Sequence, residues 1–594
     1  MQALAQNLFQ DLRYAVRQLW KSPGFTVAAV LSLAIGIGMN TAIFSNMDAV
    51  VLHPLAVPQL DRVVTVAEQQ AAKRADGLYE AVTLANYEDW ARQSRSFESL
   101  AVRSQADMTL TGNGDAAHVE AVLTSANFFS VLRATPQLGR VYNDDESRPG
   151  RDSVAVLSYG LWQRRYASEP SVLGRTIELD ERTYTIVGVM PKTMQYPSTG
   201  DIYLPLAPTP EQLGNRTAHE YLVTARLRDG ITVKQAQAEM QAMAEHLAQA
   251  YPATNAGWSV HIEPLLDGIN GPYTPLYYRM ILGATLFVLL VVCANIANLQ
   301  LARGIARRPE IAMRTALGAS RSRVLRQLLT ENLLLSLIGA VGGIGIAAAY
   351  GQYLLATMPE RVARFMAGWS NTGLNWRVLT FSFGLAGAAA LAAGLFPAFE
   401  ALRINLVSQL KAGSRSAIGS GRTHRLRNIF AVAQIALAVA LVIGAALMTK
   451  GMNAWLHAAD FYQPAKMLTF NVSLPVKRYD TPQKHVAWYA NSLARLRALP
   501  GVTHAELTPA LPYNDNAWLR DMEIENRPIV PGKFQSALNL PVTDGYFAEL
   551  RIPIVAGRGF SQSDSLETKP VAVVSERFVA QYFPGENPMG HRIH

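Results

Sequence analysis

Cysteine is almost missing from this chain of 594 residues: Cys293 stands alone, which excludes a disulfide-stapled scaffold. Charge is scarce as well, with Asp, Glu, Lys and Arg at 17% against roughly 25% in ordinary soluble domains. No G-x-x-x-x-G-K-[ST] run occurs, and the Gly-rich stretch Gly339–Gly345 carries no lysine, so the chain has no phosphate-binding loop of its own. The 11 histidines include no H-E-x-x-H, and His591 and His594 fall at the last residues; with no cysteine pair beside them a zinc site is not indicated. A G-x-S-x-G elbow is lacking too, which removes the commonest hydrolase signature.

What is present is apolar sequence in clumps. Phe25–Met47, Met280–Ala302, Asn332–Pro359, Val378–Phe399 and Asn428–Thr449 hold no Asp, Glu, Lys or Arg and run 23, 23, 28, 22 and 22 residues. A helix needs about 20 residues to cross a hydrocarbon core of roughly 30 Å. A wholly soluble protein is therefore excluded. The first stretch exceeds the usual 7–15 residue apolar region of a cleaved leader, and about 24 residues precede it, so it reads as a retained span.

The net charge of +9 suggests nucleic acid until it is mapped. Segments 1–22, 303–327 and 403–427 hold sixteen Lys/Arg against Asp11 and Glu310, a net of +14, so the other residues carry −5. Basic residues beside spans mark the cytoplasmic side. With the amino terminus inside, all three clusters fall on one face, and 54–277 and 452–594 lie outside. The short outer loop 358–376, with Arg361 and Arg364 against Glu360, is a weak exception. The predicted order is a cytoplasmic amphipathic segment 1–22, spans at 23–51, 279–302, 328–358, 377–402 and 428–451, and cytoplasmic segments 303–327 and 403–427. Leu8, Phe9, Leu12, Val16, Leu19 and Trp20 share one side of a helix, with Arg13 and Arg17 on the other. That pattern suits a helix in the membrane interface, anchored by Trp20 and Lys21, or a plain extension of the first span.

The segment 54–277 reads as mixed α/β. Val63–Val66 is a β-branched run, Leu84–Arg95 is helical, and Ser153–Leu157 is a buried-type strand leading into a helix at Tyr159–Tyr166. Thr176–Leu179 and Thr183–Val189 flank Asp180-Glu181-Arg182 as a hairpin. Thr232 with Gln235 forms a capping box that opens a helix to about Gln249, stopped near Pro252.

The end of the chain echoes this segment. Phe128-Phe129-Ser130-Val131-Leu132-Arg133 and Gly139-Arg140 return as Tyr546-Phe547-Ala548-Glu549-Leu550-Arg551 and Gly557-Arg558, at an offset of 418. Val154–Ser158 returns as Val571–Ser575, and Leu173–Ile177 as Met589–Ile593. Three blocks in one order predict an internal duplication. A unit would comprise a span, an outer domain and three further spans, with the second copy beginning near Arg425 and incomplete at His594.

The stretch Arg307-Arg308-Pro309-Glu310-Ile311-Ala312-Met313-Arg314-Thr315-Ala316-Leu317-Gly318-Ala319-Ser320, continuing through Val324-Leu325-Arg326-Gln327 to Glu331 and Leu333–Ser336, resembles the cytoplasmic signature of MacB/FtsX-type ABC transporter permeases. Gly394–Ala398, Ala401–Arg403 and Leu410-Lys411 resemble the end of that permease domain. The opening, Asp11–Tyr14 through Pro23–Thr26 to Gly36–Gly38, Asn40 and Thr41, resembles the duplicated orphan permeases first noted in acidobacteria. The resemblance implies an α-helical inner-membrane protein, multi-pass, with mixed α/β extracytoplasmic domains of the MacB-like periplasmic core type. It also implies a non-catalytic subunit that passes motion from a separate cytoplasmic ABC ATPase to its outer domain, for efflux or envelope export. ATP would act through that partner, with no cofactor, metal or nucleic acid bound by this chain. Further expected partners are a second permease in a homo- or heterodimer, a periplasmic adaptor and membrane lipid.

The implied coupling helix is about Pro309–Leu317, with Glu310, Ile311, Met313, Arg314, Leu317 and the terminating Gly318 as its site residues. Pro309 suits a first helical turn and Glu310 its positive end. The Arg-rich flanks would dock an acidic ATPase surface or only enforce orientation. The alternatives are an FtsX-like transmitter regulating an envelope protein without moving cargo, and an uncoupled orphan scaffold. Within the spans, Asn40, Asn46, Asn295 and Asn298 are the notable polar groups; Asn295 and Asn298 share a helix face and are expected to bond another helix or line a route. Gly36, Gly339, Gly342, Gly343, Gly384 and Gly387 are expected to let helices approach closely.

Overall fold

The computed structural model describes every residue except 1, 71–80, 113–114, 307–312, 314–319, 403–420, 458–465, 475–477, 512–517, 528–534 and 566–567. The chain divides into two compact units. One, the span unit, comprises Met1–Ala56, Gln195–Thr199 and Leu266–Thr449; the other, the sheet unit, comprises Val57–Met194, Gly200–Leu265 and Lys450–His594.

Five helices among the described residues are long and apolar enough to cross a membrane: Pro23–Leu52, Thr274–Arg303, Ser322–Thr357, Trp376–Leu395 and Ala431–Ala454. They are the first to fifth spans below. Pro23 opens the first at a position where its missing N–H costs nothing. Leu33, Ile37, Leu289, Ile296, Leu335 and Ala389 form a shared core of the first four. The fifth buries none of its apolar window within the protein.

Glycine sets the closest approach. A Cβ on Gly343 would lie 2.9 Å from the Gly38 nitrogen, and one on Gly38 would lie 3.0 Å from the Gly343 oxygen. The first and third spans thus meet backbone to backbone. Gly339 and Gly342 also face the first span, at Leu33 and Ala34, and Gly36 faces Leu289 of the second. Gly384 and Gly387 depart from expectation: a Cβ on either would meet nothing within 4 Å, so neither sets a close helix contact among the described residues.

The amino-terminal helix Gln2–Trp20 buries Asp11, Ala15 and Leu19 and leaves Phe9, Leu12, Val16 and Trp20 exposed. Leu19, at the edge of the apolar stripe, turns inward with Ala15, so the uncovered stripe is narrower than the sequence pattern suggests.

The sheet unit holds a ten-stranded mixed sheet. Its strands are β1 (Val63–Gln70), β2 (Phe97–Thr111), β3 (Ala117–Thr124), β4 (Leu138–Gly139), β5 (Val154–Leu157), β6 (Thr176–Leu179), β7 (Arg182–Val189), β8 (Ile202–Pro205), β9 (Leu222–Leu227) and β10 (Trp258–Pro264). The order is β10-β1-β9-β2-β3-β8-β5-β7-β4, with β6 against β2 and β7. β3–β8 and β5–β7 are parallel, which requires crossovers. The first half of β2 pairs with β9 and its second half with β3 and β6, so one long strand serves two cores. One core gathers Val66, Trp90, Phe97, Val223 and Met240; the other gathers Leu110, Leu157, Trp162, Ile186 and Ile202.

Local chemistry explains the elements. The hairpin turn is two residues, Asp180 and Glu181, both at positive φ (46° and 63°), and Arg182 already belongs to β7. Such a turn matches the right-handed twist of the strands. The helix Val233–Ala250 carries the full reciprocal capping box of Thr232 and Gln235. Helix Leu84–Gln93 is capped by the Thr83 hydroxyl, and helix Tyr159–Tyr166 by the Ser158 hydroxyl. Arg226, only 1% exposed, donates to the carbonyls of Val131, Pro58 and Gln59, and burial pulls its pKa below the ordinary guanidinium range. Glu68 is buried too, 2.6 Å from the His219 Nδ1, and accepts from Thr83 N. His219 stacks on Trp258.

Within Lys450–His594 lie a helix at Pro482–Arg497, a two-stranded sheet of Trp518–Met522 with Gln535–Asn539, and short helices at Tyr546–Glu549 and Glu576–Tyr582. Among the described residues Val571–Val574 pair with no strand. Several local devices occur in both parts of the unit. Arg133 and Arg551 have positive φ (51° and 55°), as do Gly139 and Gly557 (69° and 77°). Arg140 grips Glu146 with two bonds of 2.7 Å, and Arg558 grips Asp564 likewise. Each arginine holds its carboxyl below the usual carboxylate range.

Candidate functional site

Of the coupling residues named from sequence, Glu310, Ile311, Arg314, Leu317 and Gly318 lie outside the described residues. Met313 is described; it is helical and exposed. The structure does place the stems on either side. At the end of the second span, Arg303 lies 3.9 Å from the buried Glu331 of the third span, bonds the Ser22 hydroxyl and covers the Phe25 ring. At the start of the third span, Arg326 donates Nε to Asp11 at 2.6 Å. Gln300 and Asn332 exchange amide bonds between the same two stems. Two of the basic residues flanking the segment are therefore committed to partners inside this chain. They tie the second and third spans to each other, to the amino-terminal helix and to the root of the first span.

Further along the first span, polar groups are satisfied by other helices. Asn40, fully buried, donates to Gly36 O and Thr285 O, and accepts from the Thr285 hydroxyl at 3.0 Å. Thr41 meets Ser382 at 2.9 Å, Ser45 donates to Gly373 O, and Asn46 accepts from Thr372. Asn295 and Asn298 make no such bond among the described residues: Asn295 is exposed, and the Asn298 Oδ1 is buried without a partner. The interhelical bonding expected of that pair falls instead to Asn40, Asn46, Gln300 and Asn332.

The opposite end holds a buried polar joint, at a residue the sequence reading passed over. Asp48 directly follows the first charge-free stretch and opens a π-helical turn, Asp48–Leu52, closed by His53 N bonding Asp48 O at 2.7 Å. Its carboxylate is 2% exposed. One oxygen meets the His53 Nδ1 at 2.7 Å, the other accepts from the Asn375 amide at 2.7 Å, and Arg377 stands 4.0 Å away. Such π turns inside long helices concentrate at functional positions. The signal available in sequence was an acid at the edge of a span with a histidine five residues on.

The turn between the third and fourth spans docks on this joint. Gly368 has φ +78°, and a Cβ there would collide with the Ala49 carbonyl oxygen. Trp369 packs with Val50, Val51 and Tyr278. Gln195, in the loop between β7 and β8, accepts from Gly368 N at 3.1 Å and donates to the Ser370 hydroxyl at 2.7 Å. Residues Gln195–Thr199 are thus part of the span unit, although the chain on both sides belongs to the sheet unit. Among the described residues no three His, Cys, Asp or Glu side chains gather as a metal-holding group. The arrangement suits mechanical linkage.

Comparison with known proteins identifies two domains. Residues 26–243 match the MacB-like periplasmic core domain, and residues 282–406 match the FtsX-like permease C-terminal domain. The chain belongs to the MacB/FtsX-type ABC transporter permeases. This permease is 26% identical over 305 residues to the pyoverdine export ATP-binding/permease protein PvdT of Pseudomonas syringae pv. tomato, covering 50% of this chain and 43% of that protein. It is 23% identical over 364 residues to the macrolide export ATP-binding/permease protein MacB of Neisseria gonorrhoeae, covering 59% and 52%. The permease thus spans about half the length of these relatives, and it matches their permease part. Among solved structures, the periplasmic region of MacB from Actinobacillus actinomycetemcomitans matches with a TM-score of 0.28 and 14% identity, over 38% of this chain and 95% of that one. Asp48 and His53 fall inside the first matched domain, whereas Asn375 and Arg377, with the stem residues Gln300, Arg303, Arg326 and Asn332, fall inside the second.

Proposed function

We propose that this permease passes ATP-driven motion from a separate cytoplasmic ABC ATPase, through 303–327 and the spans, to its sheet unit outside the membrane, for efflux or envelope export. Its amino terminus is cytoplasmic in this reading, since 1–22, 303–327 and 403–427 carry the excess of basic residues. The observation that carries the reading is the Gln195 tie. A loop covalently continuous with the sheet unit is hydrogen-bonded to the turn joining the third and fourth spans, and that turn rests on the Asp48 end of the first. Displacement of the spans at their basic end would reach this loop through helices already cross-linked at both ends. Two relatives are named for the export of pyoverdine and of macrolides.

The duplication belongs to the same proposal. What supports it is that the repeated sequence blocks carry repeated geometry: left-handed Arg133 and Arg551, the Arg140–Glu146 and Arg558–Asp564 clamps, and the serine caps Ser158 and Ser575.

The test is reconstitution of the full chain with candidate ABC ATPases. The wild type should stimulate hydrolysis, and Glu310→Lys and Leu317→Asp should each cut the stimulation by about tenfold or more, the loss expected of one interfacial hot spot. Stimulation that survives both substitutions in an intact complex defeats the coupling assignment.

A further inference from the structure

The third and fourth spans leave an open groove of about 290 Å³ between them. Leu329, Leu333, Gly387, Ala390 and Leu391 line its apolar part, and Ser322 and Arg326 line one end. Among the described residues nothing fills it: a Cβ on Gly387 would meet no atom within 4 Å. Arg326 stands six residues before the charge-free stretch beginning at Asn332, about 9 Å along a helix. That depth corresponds to lipid headgroups when the charge-free stretch fills the hydrocarbon layer.

Among the described residues the surroundings are charged in one sense. Arg13, Arg17, Lys21 and Arg323 are exposed around this end of the unit, whereas Asp11 and Glu331 are buried and paired. The amino-terminal helix, held here by the Asp11–Arg326 pair, leaves Phe9 69% and Trp20 83% exposed on its outer stripe. A zwitterionic lipid would satisfy the apolar lining and offer a phosphate, but it would bring its own cationic headgroup among these cations. A molecule with a hydrocarbon chain and an anionic head satisfies both the lining and the cations.

From this pairing of shape and charge, we propose that the groove is a binding site for an anionic phospholipid. One acyl chain lies along Leu329, Leu333 and Gly387, and the phosphate sits at Ser322 and Arg326. Asp11 competes with that phosphate for Arg326, so lipid occupancy and the clamp on the amino-terminal helix are linked.

Native mass spectrometry of the full detergent-purified chain tests the site, with phosphatidylglycerol and phosphatidylcholine of identical acyl chains offered in equal amounts. The wild type should retain phosphatidylglycerol about fivefold over phosphatidylcholine, the scale of one arginine acting on an anionic head. Gly387→Leu, which fills the groove without touching protein, and Arg326→Gln should each bring the ratio close to one. Asp11→Asn, which frees Arg326, should raise it; that gain is one a purely structural role for the pair would not produce. Melting temperature reports that each variant is folded. Equal retention of the two lipids by the wild type overturns the proposal. So does a preference that survives Gly387→Leu or Arg326→Gln, or one that falls in Asp11→Asn.

Discussion

Asp48 is the residue on which most of the far-end geometry converges. Its two oxygens serve His53 and Asn375, so the carboxylate holds together the π turn of the first span and the start of the fourth. A buried carboxylate of this kind is retained only when its oxygens are engaged. Replacing it by alanine leaves the Asn375 amide and the His53 ring without their acceptor. We expect Asp48→Ala to destabilise the detergent-solubilised protein by about 2–3 kcal/mol, the range for hydrogen bonds to a charged group. Asp48→Asn should lose less, since one acceptor oxygen remains. Thermal unfolding of the two variants checks the order; equal melting points for Asp48→Ala and wild type would remove Asp48 from the joint. Sequence patterning did not single out this position, because a lone acid beside a charge-free run looks like an ordinary flank. Only the return of residues 366–377 to the same place shows what it holds.

At the scale of elements, spacing in the sequence was a good guide wherever an element is held by its own neighbours. The helix from Thr232, the helix Tyr159–Tyr166 and the hairpin β6–β7 depend on caps and turns a few residues long, and those signals are visible in the chain. Strand β2 was not read, since its fifteen residues alternate between two cores and carry no single period. The glycines divide for the same reason. The six named from the sequence sit in apolar spans and look alike, yet Gly343 touches the backbone of Gly38 while Gly384 faces open space. Gly38→Ala should therefore force the first and third spans apart, at a cost of about 1–3 kcal/mol. Gly384→Ala should be neutral or stabilising by up to about 1 kcal/mol, through helix propensity alone. Paired melting curves in detergent decide the matter, and a destabilising Gly384→Ala would mean that another chain or lipid packs there.

At the scale of the whole molecule, the proposed direction of action depends on which face of the membrane each segment occupies. A reporter active only in the cytoplasm should work when fused near Gly419 and fail when fused near Gly200; the reverse pattern would invert the proposed path of force. Composition and charge order alone supplied the five apolar stretches and the side carrying the excess of basic residues, because hydrophobic burial in lipid depends on local sequence and little else; the likeness to MacB/FtsX-type permeases came from short motifs such as Arg307–Ser320. Tertiary structure decided the rest. It joined β3 to β8 across some eighty residues, gave Arg303 and Arg326 to partners within the chain, brought Gln195 to Gly368, and left Gly387 facing an empty groove. Each of these turns on which distant backbone arrives at a given side chain, and no spacing along the chain encodes that arrival.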